Sequence, residues 1–83
     1  MTRLWVQGIA IRMDLVEGVP GRFVWERRTH PVLYVANHWR VDVAWWRWRV
    51  WRDYWKLVTG TGLLVVVYQD LSAGDWYLQR LYD

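Results

Sequence analysis

The chain has no cysteine and a single serine among its 83 residues. Without cysteine there is neither a disulfide framework nor a thiolate metal site, so cohesion has to come from the core itself. Ser72 is the one serine available to a nucleophile–base–orienter arrangement, and it lies in a turn-rich stretch, which argues against serine catalysis. Long hydrophobic runs are missing too. The longest, Leu63 to Tyr68, falls far short of the roughly 20 residues that span a bilayer as a helix. Gln7 and Arg12 interrupt the first apolar stretch and no small-residue cleavage pattern follows, so no secretory leader is read. The expectation is a soluble cytoplasmic protein with no membrane partner.

Aromatic residues are what the chain has in excess: nine tryptophans, five tyrosines and one phenylalanine. Each can bury about 150 to 250 Å², more in sum than one small domain encloses, so some rings must lie at the surface. The length fits a single domain, residues 1–83. The densest stretch, residues 44–55 (AWWRWRVWRDYW), holds five tryptophans and three arginines. Net charge is +3, distributed as +2 over residues 1–44, +3 over 45–59 and −2 over 60–83. The positive excess thus coincides with the tryptophans, as at a surface for an anionic partner. Arginines guarding a solvated strand edge against aggregation give the same pattern.

Period-two alternation dominates. Ile9, Ile11, Met13 and Leu15 alternate with Ala10, Arg12, Asp14 and Val16, which predicts a strand with one apolar face inward. Gly18, Pro20 and Gly21 predict a turn. Phe23 and Trp25 share the face of a second strand, Glu26 to Arg28 form a polar reversal, and Val32 to Val35 form a third strand. Pro31, lacking an amide donor, belongs at an edge or bulge. Tyr54 to Thr59, a hairpin at Gly60-Thr61-Gly62, and Leu63 to Tyr68 follow, the last with both faces covered. After a turn at 71–75 the final strand puts Trp76, Leu78, Arg80 and Tyr82 on one face and Tyr77, Gln79 and Leu81 on the other. The fold class is mainly β: a small antiparallel barrel or rolled sheet of five to six strands, about the size of an SH3 domain. Residues 44–50 read as a strand or an irregular arm, with a short helical turn as the alternative. Trp25, Trp39, Trp55 and Trp76 are assigned to the core.

The spacing Phe23-x-Trp25-x-x-Arg28-x-x-x-Val32-x-x-Val35-x-x-x-Trp39-Arg40, then Arg52-Asp53-Tyr54-Trp55-Lys56, and finally Trp76-Tyr77-Leu78-x-Arg80-x-Tyr82-Asp83, resembles a small domain of unknown function. That family occurs in actinobacteria and related bacteria as short proteins and at the end of ImuB-type subunits, the Y-family-polymerase-like components of the mutasome. The resemblance covers about residues 18–83. Two positions depart from it: Arg27 stands where a glycine is expected in the first hairpin, and His30 where tyrosine is usual. It implies a setting, DNA repair by translesion synthesis, rather than a reaction.

No catalytic, cofactor-binding or metal-binding set emerges. His30 and His38 lack the spacing of a metal-binding helix pair and no third ligand is signalled, so both read as hydrogen-bonded or surface histidines. Asp70 and Asp75 flank a turn and are better suited to capping it than to acid–base work. Gly60-Thr61-Gly62 lacks the lysine and following helix of a phosphate loop. What remains is the alternation of rings and guanidinium groups at Trp45, Trp46, Arg47, Trp48, Arg49, Trp51 and Arg52, the candidate contact residues. Such residues anchor protein interfaces, and they also stack bases and neutralise phosphates. Three expectations follow: a non-catalytic adaptor docking a mutasome protein, a single-stranded nucleic-acid binder, and a self-associating domain whose open edge or tryptophan arm pairs two copies.

Overall fold

Alternating apolar positions separated by short turns produce six antiparallel strands and, among the described residues, no helix. The computed structural model describes residues 2–82, the side chain of Trp45 excepted. The strands are β1 (Arg3–Val16), β2 (Val19–Trp25), β3 (Arg28–Trp45), β4 (Trp48–Thr59), β5 (Leu64–Asp70) and β6 (Trp76–Tyr82). Each pairs with the next, and β1 returns to β6 to close a barrel.

Two strands are long because each meets its two partners in succession rather than side by side. β1 pairs with β6 through Arg3 to Ile11 and with β2 from Arg12 onward. β3 pairs with β2 only through Arg28 to Pro31, then with β4 from Val32 to Trp45. Pro31 sits at this exchange of partners, where its missing N–H breaks no central ladder and its carbonyl still accepts from the Gly60 N–H at 2.7 Å.

The interior is lined by Phe23, Leu57, Val65, Val67, Leu78 and Leu81, joined by Trp55 and Trp76. Along β4 the alternation is strict, with Asp53, Trp55, Leu57 and Thr59 inward and their neighbours more exposed. Val65 to Tyr68 are all buried, so β5 is covered on both faces as its unbroken apolar run predicts. Gly8 makes the outer cover possible. Its φ of 76° and a virtual Cβ only 2.7 Å from Tyr77 Cβ admit no side chain, and β1 thereby lies across Tyr68, whose hydroxyl donates to the Gln7 carbonyl at 2.8 Å. Buried His30 is satisfied by Thr61 Oγ1, 2.6 Å from Nδ1, and stacks on Phe23. Asp70 caps its turn by accepting from the Ser72 N–H.

Several sequence expectations need correction. Pro20 and Gly21 lie within β2 rather than in the turn, which is Glu17–Gly18; Gly21 is the extra residue of a bulge, since Asp14 faces Arg22 while Leu15 faces Pro20. The face assignment of β6 fails after Leu78 because a second bulge makes Gln79 the extra residue: Val66 faces Arg80 while Val67 faces Leu78. Leu81 is therefore buried, and Arg80 and Tyr82 turn outward. No helical turn forms over 44–50, where a two-residue turn at Trp46–Arg47 joins β3 to β4 directly and lets both strands continue their ladder. Trp39 lies on the outer surface, 37% exposed, not in the core.

The turn between β2 and β3 is tight without glycine. Glu26 and Arg27 both hold positive φ, 51° and 62°, the pair of values a type I′ turn requires. A side chain in that region costs about 1 to 2 kcal/mol. Arg27→Gly is accordingly expected to raise the unfolding free energy by about 1 kcal/mol, and Gly18→Ala, at φ 80° with open space around it, to lower it by a similar amount. Urea midpoints at unchanged slope measure both.

Candidate interaction surface

Beyond Val41 the β3–β4 hairpin leaves the barrel. β5 accompanies β4 only from Arg52 onward, so residues 48–51 have β3 as their one strand neighbour, with the Leu71 N–H donating to the Trp51 carbonyl at 3.0 Å. The result is a projecting two-stranded ribbon whose tip is the tryptophan–arginine stretch.

Its hydrogen-bonding phase follows from the turn. A two-residue loop is flanked by a hydrogen-bonded pair, here Trp45 and Trp48, and pairs alternate from there. Val43 with Val50, Val41 with Arg52 and Trp39 with Tyr54 are thus hydrogen-bonded pairs. Ala44 with Arg49, Asp42 with Trp51, Arg40 with Asp53 and His38 with Trp55 are not, and their side chains come closer. The contacts agree: His38 stacks on Trp55 at 3.6 Å, whereas Trp39 lies over Tyr54 at 5.4 Å.

The two faces differ in chemistry. The face continuous with the barrel interior is ionic. Arg40 donates two hydrogen bonds to Asp53, at 2.8 and 3.2 Å, and Arg49 donates two to Asp42, at 2.9 and 2.8 Å. His38 Nε2 stands 3.7 Å from Asp53. The hydrogen bonds from Arg40 hold the Asp53 carboxyl below the ordinary aspartate range, and those from Arg49 do the same for Asp42.

The outer face is apolar and aromatic. Trp48, 57% exposed, lies there with Val43 and Val50, and Trp46 at the turn is 79% exposed with the Arg47 guanidinium 4.1 Å above its ring. Toward the barrel the same face continues as a row of rings, Trp39, Tyr54, Tyr68 and Tyr77, at successive separations of 5.4, 5.3 and 5.1 Å. Arg52 lies over Tyr68, and Lys56 and Arg80 over Tyr82.

The candidate contact residues are therefore divided. Trp48 and Arg52 point outward, Trp46 and Arg47 form the turn, and Arg49 and Trp51 lie on the ionic face, where Arg49 also covers the Trp51 ring. The side chain of Trp45 lies outside the described residues. Trp39 and Val43 were missed as surface residues, although the alternation of 39, 41 and 43 against 38, 40 and 42 carried the signal. Among the described residues no group of three His, Asp or Glu side chains could hold a metal ion, and no helix is long and apolar enough to cross a membrane.

Comparison with known families, curated proteins and solved structures finds no match to this chain.

Because the carboxyl of Asp53 titrates lower in the folded chain than in the unfolded one, its contribution is complete above the ordinary aspartate value, about 3.9, and disappears as pH falls through the folded value. Asp53→Asn is expected to cost about 1 to 3 kcal/mol at pH 7 and to flatten the loss of stability below about pH 5. Unfolding free energies across pH 3 to 7 give both quantities.

Proposed function

We propose that this chain is a non-catalytic adaptor that docks a protein partner through the outer face of the β3–β4 ribbon and its Trp46 tip. The partner is a polymerase-like or other mutasome subunit in bacterial DNA damage tolerance. That setting comes from the resemblance to the small domain found at the end of ImuB-type subunits. The docking mode comes from one observation, the joint exposure of Trp46, Trp48 and Val43 at the end of a projecting ribbon. Exposed tryptophans with an arginine at the rim are the side chains that dominate the energetic centre of protein interfaces.

Single-stranded nucleic acid is the second reading, favoured by the row of rings with Arg52, Lys56 and Arg80 beside it. Two features weigh against it. Arg49, one of the expected phosphate contacts, is neutralised by Asp42. Tyr68, in the middle of the row, is 2% exposed and offers no face to a base.

The test is a titration of the chain's tryptophan fluorescence with a purified ImuB-type subunit, beside a titration with labelled single-stranded DNA, each repeated in rising salt. Docking through the apolar face predicts saturable binding of the protein with little salt dependence. It also predicts a loss of at least about tenfold in affinity for Trp46→Ala and for Trp48→Ala, each with the fold intact. Binding of the DNA alone, with affinity falling linearly in log salt, would reject the adaptor in favour of the nucleic-acid reading.

A further inference from the structure

Barrel closure through the short β2 leaves one edge of β3 open. From Val32 onward β3 has β4 on one side and, among the described residues, no strand on the other. β2 begins at Val19, and with Arg22 opposite Pro31 it is exhausted before His38 is reached. By the phase of the ribbon, the backbone groups of His38, Arg40, Asp42 and Ala44 point away from β4 along this edge.

The edge is protected unevenly. A register shift between Val35 and Asn37 interrupts the ladder, and the His38 N–H is capped by Asn37 Oδ1 at 2.9 Å. These are the devices that keep strand edges from pairing. They stop at His38, and Arg40, Asp42 and Ala44 follow without a proline or a register shift.

We propose that this open segment pairs antiparallel with the same segment of a second copy of the chain, with Val41 opposite Val41 on a two-fold axis. Charge sets the occupant and the register. Arg40 and Asp42 lie two residues apart on the ionic face, so pairing about Val41 places Arg40 of each copy opposite Asp42 of the other. Moving the axis by one residue either way sets Arg40 against Arg40 or Asp42 against Asp42, and parallel pairing in register also sets like against like. In the proposed register Arg49, Asp42, Arg40 of the second copy and its Asp53 follow one another with alternating sign, since each chain already pairs Arg49 with Asp42 and Arg40 with Asp53.

The outer face fits as well. Trp39 of one copy meets Val43 of the other, and the two Val41 side chains meet at the axis, so the apolar faces join without burying a charge. A C2 contact of this kind is self-complementary and closed. It goes beyond the adaptor function, because it uses the backbone edge of β3 and leaves Trp46 and Trp48 uncovered, with Val43 the one residue that flanks both contacts.

The absence of native cysteine makes the test direct. Val41 would form a non-hydrogen-bonded pair with itself, with Cα atoms about 4.5 Å apart, inside the range a disulfide spans. Val41→Cys is expected to form a disulfide dimer under mild oxidation at least about tenfold faster than Val43→Cys, which is opposite Trp39 and more exposed. The unmodified chain should move in sedimentation from 10.2 kDa toward twice that mass as concentration rises, and Asp42→Lys should hold it at the lower mass with its near-UV spectrum unchanged. Equal cross-linking of the two cysteine variants overturns the proposal, as does a mass of one chain at every concentration up to the millimolar range. Trp46→Ala leaves the dimer intact, so failure of partner docking and failure of the edge contact are read separately.

Discussion

The ladder between β3 and β4 is the constraint on which everything else depends. β3 runs for 18 residues, of which only Arg28 to Pro31 are held by β2; the remainder is strand only because β4 lies beside it. Past the barrel wall, that pairing cannot draw on a buried core. It draws instead on cross-strand pairs, Arg40 on Asp53 at the barrel rim and the diagonal Arg49 on Asp42 farther out. An isolated hairpin is marginal in water. Anchoring in the barrel through Asp53 and Trp55, both buried, lets this one persist.

The same ladder explains why the surface is aromatic. A sheet bent into a small barrel has room inside for one layer of side chains, and Phe23, Trp55, Leu57, Val65, Val67 and Leu78 occupy it. The remaining rings form a second layer on the outer face, where Trp39, Tyr54, Tyr68 and Tyr77 touch in series and the stems of Arg52, Lys56 and Arg80 lie over tyrosines. Val66 and Tyr68 are buried by that outer layer rather than by the core. Where the layer runs out onto the ribbon, Val43, Trp46 and Trp48 are left facing water, and from there the docking surface we propose takes its chemistry.

Much of this was legible in the residues. Alternation along β1, the unbroken apolar run of β5 and the glycine turns between extended segments led to a small antiparallel barrel, and the excess of rings over interior required a surface set. What could not be read were the bulges and the turn phase. The inserted Gly21 and Gln79 shift every side chain beyond them to the other face, and nothing local distinguishes them from neighbouring strand residues. The turn at Trp46–Arg47 was hidden because two bulky residues replace the Asn-Gly or Gly-Gly pairs that mark such loops. Without the turn phase Arg49 looked like a free phosphate contact, whereas it faces Asp42, and Trp39 looked like core.

Fixing that phase also decides which backbone groups face outward, so the docking face and the open edge share one premise: a formed ribbon in which Val41 and Val43 bond to β4 while Arg40 and Asp42 do not. Amide hydrogen exchange followed residue by residue by NMR, at low and at high protein concentration, tests it most directly. The account predicts slow exchange at Val41 and Val43 at both concentrations, and fast exchange at Arg40 and Asp42 in dilute protein that slows as concentration rises. Fast exchange at Val41 and Val43, as at the amides of an unstructured arm, would contradict it.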